Sequence, residues 1–190
     1  MDGTVIWIII GCVVMAIIAI IWSTYNGLVK LNERVNEAWS DITVQLKYRA
    51  DLIPNIVETV KGYAKHEKEA FKDVTEARSQ AMGAKNVKSA AAAEDALTTS
   101  LSKIFAIAEA YPELKANENF KTLQKQLQDV EDKIQAARRF YNAGAKELNV
   151  KIKIFPSNLF AKRLGFKLRD YFEVKEEEGK RIADAPEVKF

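Results

Sequence analysis

Histidine occurs once, at His66, and cysteine once, at Cys12. A lone cysteine cannot close an internal disulfide and gives no sign of redox compartment. A lone histidine excludes a two-histidine metal site and the H-E-x-x-H zinc motif. Neither a G-x-x-x-x-G-K-[ST] phosphate loop nor a G-x-S-x-G nucleophile elbow is present. The Glu-x-x-His pairs that hold two irons inside helical cores are missing as well. His66 lies in GYAKHEKEA and reads as an exposed helix residue among charges rather than as a ligand. Arg49, Asp51 and Glu58 cluster around Pro54, where such groups usually make structural ion pairs. Together these absences predict a non-enzyme, with no catalytic, cofactor-binding or metal-binding residue, no cofactor and no small-molecule substrate.

Excess charge of one sign is lacking too. Lys and Arg number 29 against 26 Asp and Glu, a net charge of +3. Aromatic residues do not interleave with basic clusters as in a stacking platform, so nucleic acid is not an expected partner. Proline occurs only at 54, 112, 156 and 186. Its scarcity leaves long uninterrupted stretches, which favour helices. A chain of 190 residues suits one domain plus an anchor or tail.

What is present begins with an apolar run. Val5–Trp22 reads VIWIIIGCVVMAIIAIIW without a charge, about 27 Å of helix against a hydrocarbon core of about 30 Å. The IIIGC within it resembles a lipoprotein cleavage and acylation site. A cleaved signal, however, needs a basic leading region and an apolar run that ends at the cut. MDGT supplies no base, and the apolar run continues beyond Cys12. A retained transmembrane helix is the expectation, with Cys12 a small residue of the anchor. Lys30 and Arg34 follow the span and no base precedes it, which predicts an external N-terminus and a cytoplasmic remainder. Trp22 and Tyr25 suit an interfacial aromatic belt.

Beyond the anchor, apolar residues recur every three or four positions, so they share helical faces. Leu28, Leu31, Val35, Ala38 and Ile42 make a first stripe; Ile53, Val57, Val60, Ala64, Phe71 and Val74 a second. Leu97, Leu101, Ile104, Ala108 and Tyr111 make a third; Phe120, Leu123, Leu127, Val130, Ile134, Ala137, Tyr141, Gly144 and Leu148 make the longest. Short connections imply an all-α fold: the transmembrane helix, then an antiparallel four-helix bundle of long coiled-coil-like helices. Pro112 ends the third helix, Asn117 caps the fourth, and MGAKN ends the second. Pro54 permits either a kink or a new helix capped by Asp51, and compact burial favours a break there. The expected divisions are 1–24 for the N-terminus and anchor, 25–150 for the bundle, 151–174 for an irregular segment with a short basic amphipathic helix, and 175–190 for a charged tail.

In that third segment, Phe160, Leu164, Leu168 and Phe172 share one face beside Lys162, Arg163, Lys167 and Arg169. These four bases are candidate contacts to an anionic lipid surface. The alternative is a fifth element that caps the open end of the bundle, its bases merely solvated. At the C-terminus, Val188 and Phe190 of PEVKF are candidate apolar anchors for self-association, or for packing on the chain's own bundle.

Several blocks in order resemble the LemA family of bacterial membrane proteins: Tyr25-Asn26 with NERVNEAWSDITVQLKYRADLIPNIVETVKGYAKHE, then EAYPELKANENFKTLQ, ARRFYNAGAKELNVKIKIFPSN and PEVKF. The resemblance implies an N-terminal transmembrane helix, a small external N-terminus and a cytoplasmic antiparallel four-helix bundle. It implies no enzymatic activity. The expected role is a membrane-anchored scaffold or organiser that works by self-association, with the lipid bilayer and further copies of the chain as partners. The alternative is a monomeric adaptor that presents a bundle face to another protein in envelope stress or signalling.

Overall fold

The computed structural model describes residues 3–173. Val188 and Phe190 therefore lie outside the described residues. Five α-helices follow one another: α1 Gly3–Lys61, α2 Lys68–Gly83, α3 Val87–Ala110, α4 Pro112–Ala116 and α5 Glu118–Lys153. A single 3-10 turn, Ser157–Leu159, comes after them. No strand occurs among the described residues.

α1 is long and apolar enough to cross a membrane near its N-terminus, and that window is wholly exposed. The expected break at Pro54 is absent, for α1 runs through it to Lys61. A proline inside a helix deprives the carbonyl four residues back of its donor. Here that carbonyl belongs to Ala50, and Arg78 of α2 donates its Nε–H to it at 2.7 Å. The buried backbone oxygen is thus satisfied from outside the helix. The chain turns instead at residues 62–67, so Ile53, Val57 and Val60 stay on α1 while Phe71 and Val74 move to α2.

Other boundaries fall where the residues placed them. Asn86 caps α3 by accepting from the Ser89 N–H, and Ser89 reciprocates. Tyr111 separates α3 from α4, whose first residue is Pro112. The Asn117 side chain accepts the Phe120 N–H at 3.0 Å, capping α5.

Contacts gather into two units. One joins the stretch ending at Trp39 to Phe140–Arg169. In it Leu28, Val35 and Ala38 of α1 are buried, as are Tyr141, Ala145 and Leu148 of α5. Arg34 reaches Glu147 at 3.4 Å. A Cβ on Gly144 would stand 3.4 Å from Val35. Trp39 meets Tyr141 with ring centroids 5.9 Å apart. Partner numbers on α5 thus fall as those on α1 rise.

The other unit comprises Ser40–Arg139 and the stretch from Asp170. Its core takes Ile42, Ile53 and Ile56 from α1, Val74 from α2, Leu97 and Ile104 from α3, and Ile134 from α5. Full burial of each such side chain contributes about 1.5–3 kcal/mol. Three buried alanines, Ala90, Ala91 and Ala93, leave little side chain at the start of α3, where its backbone can approach a neighbour closely. Lys103 of α3 pairs with Asp73 of α2 at 2.7 Å.

The expected amphipathic helix at 158–172 is not formed. Residues 160–165 make turns and 166–173 have no regular structure. Gly165, at φ +87°, closes the turn, since its N–H bonds the Lys162 carbonyl and the Phe166 N–H bonds the Ala161 carbonyl. That pair of bonds is a Schellman stop, which a helix cannot pass.

Candidate functional site

The helix α5 carries Asn149 into the first unit on its buried side. Its side-chain amide donates to the Arg169 carbonyl at 2.9 Å and accepts the Arg169 N–H at 2.8 Å. The Arg169 guanidinium in turn donates to the side-chain oxygens of Asn32 at 2.8 Å and Asn36 at 2.7 Å. Asn32 and Asn36 lie one helical turn apart on α1, so a single guanidinium nitrogen, Nη2, donates to both. Arg169 therefore ties the returning chain to α1 and α5, and is not among the solvent-facing bases. Lys162, Arg163 and Lys167 are all exposed.

Between Asn149 and Arg169 the chain makes an excursion and comes back to its own starting level. Phe166 sets its ring edge against Tyr25, centroids 6.0 Å apart. Tyr25 follows Trp22, the last residue of the apolar run, by one helical turn. Ala161 is fully buried beneath the excursion, and Ser157 is nearly so. Its outer surface is apolar and uncovered, with Phe155 77% exposed and Leu159 65% exposed. Phe172, beyond it, belongs to the second unit, where it is buried with the Arg138 guanidinium 4.7 Å from its ring centroid.

A second cluster lies inside the other unit. Arg49, 4% exposed, and Glu94, 5% exposed, pair at 2.7 Å. Glu131 stands 3.0 Å from the same guanidinium nitrogen, and a second nitrogen donates to the Thr98 hydroxyl at 2.9 Å. Arg49 Nε, Glu94 Oε1 and Glu131 Oε2 have no hydrogen-bond partner. Burial pushes the Glu94 carboxyl above its ordinary range, against the pull of Arg49, and the neighbouring Glu131 charge adds to the rise. The expected grouping of Arg49 with Asp51 and Glu58 is not seen. Asp51 approaches Arg78 at 4.0 Å, and Glu58 pairs with Lys61 at 2.8 Å.

His66 is exposed, in the turn after α1 rather than in a helix. Cys12 is a free, exposed residue of the apolar stretch. Among the described residues no group of His, Cys, Asp and Glu is placed to hold a metal ion.

Known proteins are similar to this chain in sequence. Magnetosome proteins MamQ 2 and MamQ 1 of Paramagnetospirillum magneticum are each 25% identical over 188 residues, covering 85% of this chain and 69% of theirs. Magnetosome protein MamQ of Magnetospirillum gryphiswaldense is 25% identical over 187 residues, with the same coverage. The model of the LemA family matches residues 38–190. That match takes in α2 to α5, the excursion and most of the packed length of α1, and the protein belongs to the LemA family.

Proposed function

We propose that this protein is a non-enzymatic, single-pass membrane scaffold, an antiparallel four-helix bundle that organises the bacterial inner or plasma membrane by self-association. Its N-terminus lies outside and its bundle in the cytoplasm. One observation carries the reading. The exposed apolar stretch passes without a break into the part of α1 that is buried, beginning at Thr24 and Leu28. No linker separates anchor from packed domain, so each copy is held against the bilayer. Confinement of this kind raises the local concentration of copies and makes weak lateral contacts effective. The falling α5 partners of Arg34, Val35 and Trp39 support the antiparallel arrangement. A burial pattern given over to packing, with its one inward charge cluster paired to itself, supports a role without catalysis.

Native mass spectrometry of the full-length protein released from mild detergent tests the proposal. A defined multimer of intact chains is the expected result. A monomer would overturn the scaffold and favour the adaptor. Loss of the first eleven residues with a gain of acyl mass would overturn the retained helix.

A further inference from the structure

We propose that the excursion between Asn149 and Arg169 is a second membrane contact, a basic turn with an apolar tip that binds anionic phospholipid headgroups beside the point where α1 leaves the bilayer. The reading rests on the anchoring role of α1 proposed above, and goes beyond it by naming a ligand class and the residues that take it.

Position comes first. Partners on α5 fall from Glu147 to Tyr141 as α1 rises from Arg34 to Trp39. Continuing α5 past Asn149 therefore carries it back along α1 toward the apolar stretch. Phe166 packs against Tyr25, which lies one turn from Trp22. At 1.5 Å per residue, about 5 Å of helix separates Tyr25 from that residue. The headgroup layer is several ångströms thick on either side of the hydrocarbon. The excursion is thus held at headgroup depth, and the Arg169 guanidinium, bonded to Asn32 and Asn36, fixes its return.

Charge comes second. The stretch 151–169 reads KIKIFPSNLFAKRLGFKLR, with six basic residues and no acidic one. Arg169 is committed to α1, while Lys162, Arg163 and Lys167 face solvent. A chain with a net charge of only +3 has concentrated its bases here. Each base near an anionic leaflet strengthens binding about fivefold.

The apolar tip comes third. Phe155, Leu159 and Leu168 are more than half exposed. On a water-facing turn such exposure is costly, whereas at the lipid boundary these side chains enter the acyl region while the lysines reach the headgroups. Val150 on α5 and Ile154 just past its end, also exposed, precede the tip. A basic surface interleaved with apolar side chains matches an anionic bilayer better than a second copy of this chain, whose corresponding face would carry the same positive charge.

The test uses the full-length chain in nanodiscs that hold one copy. A fluorophore is attached at Leu159→Cys in a Cys12→Ser background, and nitroxide-labelled lipids serve as quenchers. Alkaline carbonate extraction of source membranes comes first. Release of the chain would overturn the anchor, and with it this proposal. With the chain retained, nitroxide near the headgroup should quench the fluorophore, and nitroxide on phosphatidylglycerol should do so more than on phosphatidylcholine. Changing Lys162, Arg163 and Lys167 together to Gln should reduce that preference at least tenfold and leave extraction unchanged. Quenching no stronger than from a water-soluble nitroxide, or a preference untouched by the triple change, would overturn the lipid contact alone. Quenching found only in discs with two copies would assign the face to a second chain. Competition by inorganic phosphate would assign it to a free anion. Either of those results would overturn the lipid reading too.

Discussion

Arg49 holds Glu94 at 2.7 Å where water scarcely reaches, and Glu131, its side chain 27% exposed, at 3.0 Å. Arg49→Met would leave two carboxylates facing each other without a cation, a change that typically costs about 3–5 kcal/mol. Urea unfolding of the full-length protein in detergent, followed by circular dichroism, should show that loss. Adding Glu94→Leu and Glu131→Leu should recover most of it, because an apolar core replaces an ion cluster at little cost. An Arg49→Met variant as stable as the parent would show that the cluster opens to water. The raised pKa of Glu94, caused first by burial, adds a pH dependence. Its folded form keeps the proton to higher pH than the unfolded form, whose carboxyl titrates near the ordinary 4.5. The stabilising share of this group is therefore complete below that pH and fades as pH climbs to the folded value. Glu94→Gln should flatten the dependence of the unfolding midpoint on pH above the ordinary 4.5, relative to the parent. A parent whose stability rises above that pH, with a variant that rises alike, would refute this assignment. The cluster was readable in part. Glu94 falls three before Leu97, Glu131 three before Ile134, and Arg49 three after Leu46, so all three lie on core-facing registers. Charge at a core register is a signal of pairing, but only the fold shows which residues meet.

At the scale of elements, the helical stripes and the Asn117 cap were legible because each depends on neighbours within one turn. The course through Pro54 was not, because what relieves it is Arg78, a residue on another helix. This yields a coupled expectation. Arg78→Ala should strand the buried Ala50 carbonyl, at about 1–3 kcal/mol. In a Pro54→Ala background residue 54 regains its N–H, the carbonyl is satisfied within α1, and the same Arg78→Ala change should cost much less. A double-mutant cycle on unfolding midpoints measures the difference, and additive losses would refute the role given to Arg78. The segment after α5 misled for a related reason. Its apolar residues have helical spacing, but Gly165 adopts φ +87° and stops the turn. Nothing lies within 4 Å of a Cβ placed there, so Gly165→Ala meets strain only from the backbone. About 1–2 kcal/mol is expected for an alanine held in that left-handed conformation. The loss should appear as faster amide hydrogen exchange at Gly165 and Phe166, and unchanged exchange would show that the stop does not depend on glycine.

For the whole molecule, confinement to a bilayer changes what a short segment can do. Val188 and Phe190 form a small apolar pair, and in dilute solution burial of both would not hold two chains together. Burying each contributes about 1.5–3 kcal/mol, while association itself costs at least about 4 kcal/mol in lost freedom. A chain tethered at the membrane would already have given up much of that freedom, and on the proposed self-association the same pair would then suffice. Deleting residues 186–190 should then reduce the stoichiometry of the released protein, or raise the protein-to-lipid ratio at which multimers form by roughly 100-fold. On the self-association reading the unfolding midpoint should stay as it was. The reverse pattern distinguishes the alternative. A lower midpoint with unchanged stoichiometry would mean that PEVKF packs on its own chain and that copies meet elsewhere, if they meet at all. Both quantities can be read on one preparation, by native mass spectrometry and by denaturation. The excursion beside Tyr25 would still bind lipid in either case, since its contact is made by each copy alone.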